Sequence, residues 1–508
     1  MNCVLVETVG TSLVGAREKR GWAIATAGLV LGIVLIWLAL EIPKGTLVAT
    51  DELLTAERTR EMLSTGPWLV HFNFKPSFEK PPLQYWLTTL TLPRFENPSL
   101  AVRVWPLIYA AFTAIAIGCL ALIIQPNRPW LVPLSVTVLL SCPLLITQAT
   151  RGLLDIGLAF FTTTTILFSE LARKKPAWWL AVAVACWLGS LQKNPVPFVI
   201  WLLILGVRTT SQAERGRLKN WQLSVSLLLA LLAMSFWPLL QLLKYQMPWW
   251  SVFHEEVIVW LGPTGLGTRP YFEIPVRMII NGGVFGLFGL LVPFTILLLR
   301  KESEGSAVRE IALVSLIAIA LAIVSNFRHA RYVVPIVPVL CLQIAIVFDR
   351  FIQRAQLARG LAIVAMIAVS ICGLIQTKIE IDHLEGKDDR GDKINAWIPA
   401  LIVPRDVTDE KLIAEKLGTL QGEGTKIVLV KAKKPGADLL WDSFYLFHGK
   451  LRSTVSKYTV DEIRSNPPPA PLIGVCVARD LPVLQQLYPN LRAELVRAQL
   501  VCWEVAAQ

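Results

Sequence analysis

REKRGWAIATAGLVLGIVLIWLAL, residues 17 to 40, places Arg17, Lys19 and Arg20 directly before an apolar run of membrane-spanning length. About 20 consecutive apolar residues suffice to cross the hydrocarbon core of a bilayer. No small-residue cleavage site follows the run, so it reads as a retained first helix and not as a signal removed on export. The basic trio sets the N-terminus in the cytoplasm.

Stretches of the same kind recur near residues 101 to 124, 129 to 148, 152 to 171, 177 to 191, 195 to 207, 222 to 243, 277 to 299, 308 to 325, 332 to 348 and 358 to 376. With the first, at 22 to 41, they make about eleven spans, the fifth and sixth short. The expected fold class is an all-α polytopic transmembrane bundle. Composition agrees, because 54% hydrophobic and 17% charged residues exceed what one soluble core of 508 residues needs. The net charge of +12 does not point to nucleic acid. Its Lys and Arg fall mainly in short gaps between apolar runs, where they act as topology signals.

Alternate gaps carry the basic residues: Arg128, Arg173 to Lys175, Arg208 to Lys219, Arg300 to Arg309 and Arg350 to Arg359. Those gaps are expected in the cytoplasm. The remaining gaps then face outward, and an odd number of spans also carries the end of the chain outside. A transmembrane domain is therefore expected over residues 1 to 376, with long outer loops at 42 to 100 and 244 to 276. Residues 377 to 508 are expected to form a small soluble, extracytoplasmic or periplasmic α/β domain, with strands at 426 to 430 and 472 to 477 and helices at 460 to 465 and 481 to 487. The host membrane is the plasma (inner) membrane. Cys476 and Cys502 lie in this tail, where an oxidising compartment would permit a disulfide, while the other Cys sit in or beside apolar segments as small packing residues.

The outer gaps hold ionisable groups next to the bilayer, which require partners or a wet cavity. Asp51 and Glu52 open a polar helix expected over 52 to 63, and taken alone they suit an N-terminal cap. Arg151 and Asp155, four apart, are expected on one helical face at the outer mouth of the fourth span, where a local ion pair is the plain reading. Lys193, Arg331 and Tyr332 stand at other outer span ends.

One pattern adds to these readings. Asp51-Glu52, Ala56-Glu57, Arg60-Glu61-Met62, Gly66, Trp68-Leu69-Val70 and Phe78-Glu79-Lys80-Pro81-Pro82-Leu83 with Tyr85-Trp86-Leu87 together resemble the first outer loop of a bacterial family. That family contains the lipid A aminoarabinose transferase and the protein O-mannosyltransferases, which are glycosyltransferases of the GT-C fold. Arg151 with Asp155 is similar to the family's fourth-span entrance. Lys193-x-Pro195 is similar to its Thr-Lys-Gly-Pro turn, with Gln192 and Asn194 in place of Thr and Gly. Arg331-Tyr332 with Pro335 and Pro338 is similar to a later Arg-Tyr-Leu-Leu-Pro stretch. The resemblance runs over about residues 20 to 380 and leaves the tail unmatched.

The resemblance implies a polyprenyl-phosphate-sugar donor, an extracytoplasmic site, an inverting displacement, and a lipid, glycan or protein acceptor. It makes Asp51, with Glu52, the catalytic carboxylates, and it makes Arg58, Lys80, Lys193, Arg331 and Tyr332 the groups that hold the donor phosphate. Glu79, Arg151 and Asp155 support them. Interfacial snorkelling is the competing reading of the cations, most strongly for Arg58. Some members of the family use a Glu and a His from the second long outer loop as ligands of a divalent metal. The corresponding pair is Glu79 and His254, although His254 stands about one turn from the family position. No other cofactor is implied.

A lipid-linked-sugar transporter or flippase is the rival class, since it too has many spans and few intramembrane charges. Paired halves and midplane polar residues would mark it, and neither stands out. A surface-glycan polymerase or ligase shares the donor but not the pattern from Asp51 to Leu87.

Overall fold

The computed structural model describes residues 2–47, 50–66, 68–253, 271–298, 306–325, 330–354, 358–384, 408–431, 442–497 and 499–506. Each apolar stretch falls on helix: Asn2–Glu41, Pro98–Ile124, Leu131–Leu140 with Pro143–Ala149, Asp155–Ala172, Trp178–Gln192, Val196–Thr209, Trp221–Met234 with Phe236–Leu243, Glu273–Leu298, Ser306–Val324, Val337–Arg354 and Ala358–Leu384. Among the described residues six helical segments are long and apolar enough to cross a membrane, or seven if the pair bent by 68° before Pro143 is one span. Pro143 explains that bend, since it opens the second helix and has no N–H with which to continue the first. Apolar side chains left outside the packing, such as Ile33, Ile36 and Leu40 on the first helix, give the surface that lipid requires. The chain is built as a multi-pass membrane protein.

The chain divides into two compact units. The first comprises Met1–Ile42, Phe78–Gln84 and Arg103–Ile381 and holds the helical bundle. Its Glu273–Leu298 helix is kinked at Gly283, whose φ of 55° suits a residue without Cβ. The Gln376 side chain donates to the Ile280 carbonyl at 3.1 Å beside this kink, satisfying an oxygen where the helical ladder is broken.

The second unit comprises Pro43–Ser77, Tyr85–Val102 and Asp382–Gln508. Its centre is a five-stranded sheet of order β4-β3-β5-β7-β6, with β3 Lys426–Lys431, β4 Val455–Thr459, β5 Leu472–Val477, β6 Leu491–Arg497 and β7 Leu500–Val505. β3 runs parallel to β4 and β5, while β7 is antiparallel to β5 and β6. Helices Val460–Ser465 and Leu481–Leu487 contribute Val460, Ile463 and Leu484 to one apolar cluster with Val428, Val430 and Trp503.

The opposite cluster joins two distant parts of the sequence. Leu53 and Ala56, from the Thr50–Thr65 helix, pack with Phe444, Tyr445 and Leu446 from the Asp442–His448 helix and with Ile427, Leu429, Ile473 and Val475 of the sheet. A short hairpin, β1 His71–Phe72 and β2 Lys75–Pro76, follows the Thr50–Thr65 helix. The Asn73 side chain, in its turn, donates to Val455 O at 2.8 Å and accepts from Val455 N at 2.7 Å. Most of the long loop expected to belong with the spans therefore shares a core with the tail. The physical reason is apolar area: the inner face of the Thr50–Thr65 helix covers sheet and helix surface that would otherwise be wet.

The two tail cysteines lie on opposite faces of the sheet. Cys502 pairs in register with Val475, and Cys476 with Val501, so the alternation of side chains sends Cys502 into the first-loop cluster and Cys476 into the other. Both are free thiols, and burial pushes each up to about 12.

Candidate active site

Within the first unit, the helix Trp178–Gln192 stops because Pro195 disfavours helix in the residue before it. Lys193 follows as its C-terminal cap, and its Nζ lies 2.5 Å from Asp155 Oδ1. Asp155 opens the helix Asp155–Ala172, where the helix dipole favours an anion. Both side chains are withdrawn from solvent, at 6% and 4% exposure, and a charge so placed requires its partner. Tyr332 lies beside the pair, with Lys193 Nζ 5.3 Å and the Arg331 guanidinium 5.8 Å from its ring centre. Three segments far apart in sequence thus bring Asp155, Lys193, Arg331 and Tyr332 together.

Arg151 is placed differently from the expectation. The helix begins at Asp155 itself, and residues 151 to 154 form the turn before it, so Arg151 and Asp155 do not share a helical face. The ion partner of Asp155 is Lys193.

Glu79 and Lys80 belong to the same unit, in a segment anchored by Phe78, whose ring lies 6.0 Å from Trp237 and 5.3 Å from Tyr245. Lys80 Nζ is 3.8 Å from Glu79 Oε1, and the Glu79 side chain is 57% exposed. Gln84 ends the segment, and its Oε1 accepts from Gln192 Nε2 at 3.0 Å. Gln192 Nε2 also donates to Leu154 O at 3.2 Å, and Gln192 Oε1 accepts from Tyr109 at 3.2 Å. Sequence reading noted Gln192 only as a departure from the family turn.

The second unit holds Asp51, Glu52 and Arg58 on the Thr50–Thr65 helix. Asp51 is half-buried in its first turn and Glu52 is buried. Arg58 is only 2% exposed; its Nη1 donates to Tyr85 at 2.9 Å, and its guanidinium lies 5.7 Å from the Phe72 ring centre and 5.8 Å from that of Tyr85. Such enclosure in an aromatic slot differs from a cation snorkelling along an interface.

Sequence reading gave no role to Glu57, Arg60 and Glu61. Arg60 grips Glu57 through Nε at 2.8 Å and Nη2 at 2.6 Å, and its Nη2 also donates to Leu451 O at 2.8 Å. Glu61 accepts from Phe74 N at 2.7 Å. Burial, then its hydrogen bond to Glu57 and repulsion from Glu57, push the Glu61 carboxyl up to about 8. The acid therefore holds a proton at neutral pH while bracing the hairpin turn.

Another buried cluster escaped sequence reading. Arg208 binds Glu170 and Glu310 at 2.8 Å each, and Arg173 reaches Glu310 and lies 3.7 Å from Glu214. The basic residues read as topology signals, and their carboxylate partners lie up to 137 positions away.

Of the expected metal pair only Glu79 lies within the described residues. Among them no group of three or more His, Cys, Asp or Glu is gathered, Glu79 stands with Lys80, and His254 lies outside the described residues. Glu255, Glu256 and the apolar run from 257 to 261 lie outside them as well. The tail carries an open polar cleft of about 1780 Å³. Its wall balances Lys426, Lys450, Arg452 and Lys457 against Glu415, Glu423, Asp461 and Glu462, so it presents no net cationic field to a phosphate.

Comparison with known proteins adds the fold and a family match over part of the chain. Residues 52–249 match the family model of dolichyl-phosphate-mannose-protein mannosyltransferase. An undecaprenyl phosphate-alpha-4-amino-4-deoxy-L-arabinose arabinosyl transferase of Sodalis glossinidius is 31% identical over 169 residues, 32% of this chain and 30% of the relative. One from Pseudomonas fluorescens is 25% identical over 328 residues, 62% of this chain and 55% of the relative. The matches thus span about half the length of these relatives or less. In three dimensions the chain is similar to ArnT from Cupriavidus metallidurans bound to undecaprenyl phosphate, with a TM-score of 0.70 at 15% identity over 95% of this chain and 98% of that one. By its architecture this chain has the GT-C fold, and its residues 52–249 are similar to the dolichyl-phosphate-mannose-protein mannosyltransferase family.

Proposed function

We propose that the chain is a membrane glycosyltransferase that moves a sugar from a polyprenyl-phosphate donor to a lipid, glycan or protein acceptor on the extracytoplasmic face. The observation that carries this reading is the buried Lys193–Asp155 pair beside Tyr332 and Arg331, in a fold similar to that of a protein with undecaprenyl phosphate bound.

In the proposed inverting displacement, the acceptor hydroxyl oxygen attacks the anomeric carbon and the bond from that carbon to the phosphate oxygen breaks. The hydroxyl proton passes to a carboxylate, assigned to Asp51 with Glu52 beside it. Polyprenyl phosphate leaves with the bonding electrons, and preplaced cations stabilise the charge that grows on its oxygens. Lys193 suits that task, because an ammonium has three donors and Asp155 fixes its position with one. Arg331 and Lys80 are assigned to the same phosphate, with Tyr332 as a hydrogen-bond donor, Glu79 and Arg151 in support, and Arg58 as the member most enclosed by its own unit. No step is routed through a metal.

The proposed topology has about eleven spans, a cytoplasmic N-terminus and an extracytoplasmic tail. Contacts within the bundle support it by joining ends that charge bias assigns to one side. Arg20 donates to Pro126 O at 3.0 Å, Arg128 binds Asp349 at 2.8 Å, and Arg208 binds Glu310, all on the cytoplasmic side in this reading. Glu41 binds Lys378 at 3.3 Å and Asp155 binds Lys193 on the other side.

The test uses the purified full chain in proteoliposomes with labelled polyprenyl-phosphate sugars and extracts of envelope lipid, glycan and protein. Transfer predicts label on an acceptor together with release of polyprenyl phosphate. Movement of intact donor across the bilayer without consumption would instead assign a flippase.

A further inference from the structure

Gln192 occupies a junction that the proposed chemistry does not by itself require. The side chain is fully buried, as is that of Gln84. Both of its N–H directions are used, toward Gln84 Oε1 and Leu154 O, and its oxygen accepts from Tyr109. Three separate segments are therefore held by one amide. Gly157 makes the room, since a Cβ there would stand 2.4 Å from Gln192 Nε2 and 2.6 Å from its Cδ.

The junction sits beside candidate phosphate-binding groups on two of its sides. Gln192 precedes Lys193 and Leu154 precedes Asp155, so the amide tie and the ion pair run side by side between the same two backbone stretches. Gln84 lies four residues after Lys80, and the intervening Pro81 and Pro82 have fixed φ, which stiffens the connection. Both lysines lie in the first unit.

We propose that Gln192 is a positioning residue that sets Lys80 and Lys193 in register on one donor phosphate. This rests on the glycosyltransferase reading above and adds a specific dependence to it. The amide touches no reacting atom and acts only by aligning the two cations with each other, so its loss lowers phosphate affinity when both are present and leaves nothing to align once Lys193 is gone.

Undecaprenyl phosphate is the probe, titrated by native mass spectrometry against the full chain in lipid nanodiscs, with the melting temperature of each variant recorded. Wild type is expected to bind, and Lys193→Met to bind much more weakly. Gln192→Leu is expected to lose about tenfold in affinity, because the buried hydrogen bonds that hold the two stretches go with the amide. Gly157→Ala, whose Cβ would collide with the amide, is expected to lose a similar factor. In the Lys193→Met background Gln192→Leu is expected to cause no further loss. Wild-type affinity in Gln192→Leu alongside a weak Lys193→Met would overturn the positioning role and leave the transferase reading standing. Equal losses from Gln192→Leu in both backgrounds would assign the glutamine to bundle stability alone and overturn it as well. No binding by wild type, or undiminished binding by Lys193→Met, would remove the reading on which it rests and the proposal with it.

Discussion

Lys193 Nζ lies 2.5 Å from Asp155 Oδ1, and neither side chain is more than 6% exposed. Breaking a buried pair from one side strands the other charge and typically costs about 3–5 kcal/mol. Asp155→Asn and Lys193→Met are each expected to lower the melting temperature by several degrees. The double variant Asp155→Asn/Lys193→Met is expected to recover much of that loss without recovering binding of undecaprenyl phosphate. Scanning fluorimetry beside a binding titration separates the two effects, and a double variant that binds like wild type would rule out a direct role for Lys193.

Asp51 opens its helix from a half-buried position, so its neutral analogue should fold. Asp51→Asn is expected to cut sugar transfer by a factor of about 10²–10⁴, the usual range for a positioned proton acceptor, with membrane insertion and melting unchanged. Initial rates on proteoliposomes measure this, and full activity would transfer the base role elsewhere.

Glu61 links the fold to pH. Its carboxyl is pushed up to about 8 in the folded chain, so the folded state holds the proton more tightly than the unfolded state. That contribution is complete below the ordinary carboxyl range and is lost as pH rises toward about 8. Resistance of residues 43 to 77 to proteolysis should fall across that window in wild type. Glu61→Gln should flatten the fall, and parallel profiles for the two proteins would count against the assignment.

Asn73 holds the hairpin turn against β4 by two bonds and has a φ of 54°. Asn73→Ala strips the Val455 N–H and C=O of this partner and leaves a less tolerant residue in the left-handed region, for an expected cost of about 1–3 kcal/mol. Limited proteolysis should show earlier cleavage near the hairpin while the transmembrane helices stay protected.

Cys476 and Cys502 face away from each other through the sheet, and burial holds both thiols protonated. Neither is expected to react with iodoacetamide before denaturation, and both should react after it without added reductant. A mass deficit of one disulfide in the oxidised protein would contradict the register.

Much of the bundle was legible because apolar length and basic gaps are local properties of the chain. Lys193, Asp155, Arg331 and Tyr332 were each visible as charged or polar residues at span ends, and the family pattern tied them to one chemistry. Their pairing was not visible. Four-residue spacing joined Asp155 to Arg151, and only the helix start at Asp155 breaks that link. The Arg208 cluster was hidden for a related reason, since a basic residue in a gap between spans looks the same whether it is solvated or locked between two glutamates. In the tail, β3 and β5 read clearly as short apolar runs between turn residues. Nothing local announced that Leu53 and Ala56 would complete their core, because a helix with a modest apolar face does not name its partner.

That shared core also imposes an order of events during biosynthesis. Arg60 waits for Leu451, 391 positions later, and Asn73 waits for Val455. While the intervening helices are still being threaded into the bilayer, the Thr50–Thr65 segment has been made with its apolar face unburied, and only residues 413 to 502, made much later, supply the surface that covers it. Ribosome stalling or premature termination inside the tail would therefore leave an inserted bundle whose Thr50–Thr65 segment has nothing to fold against.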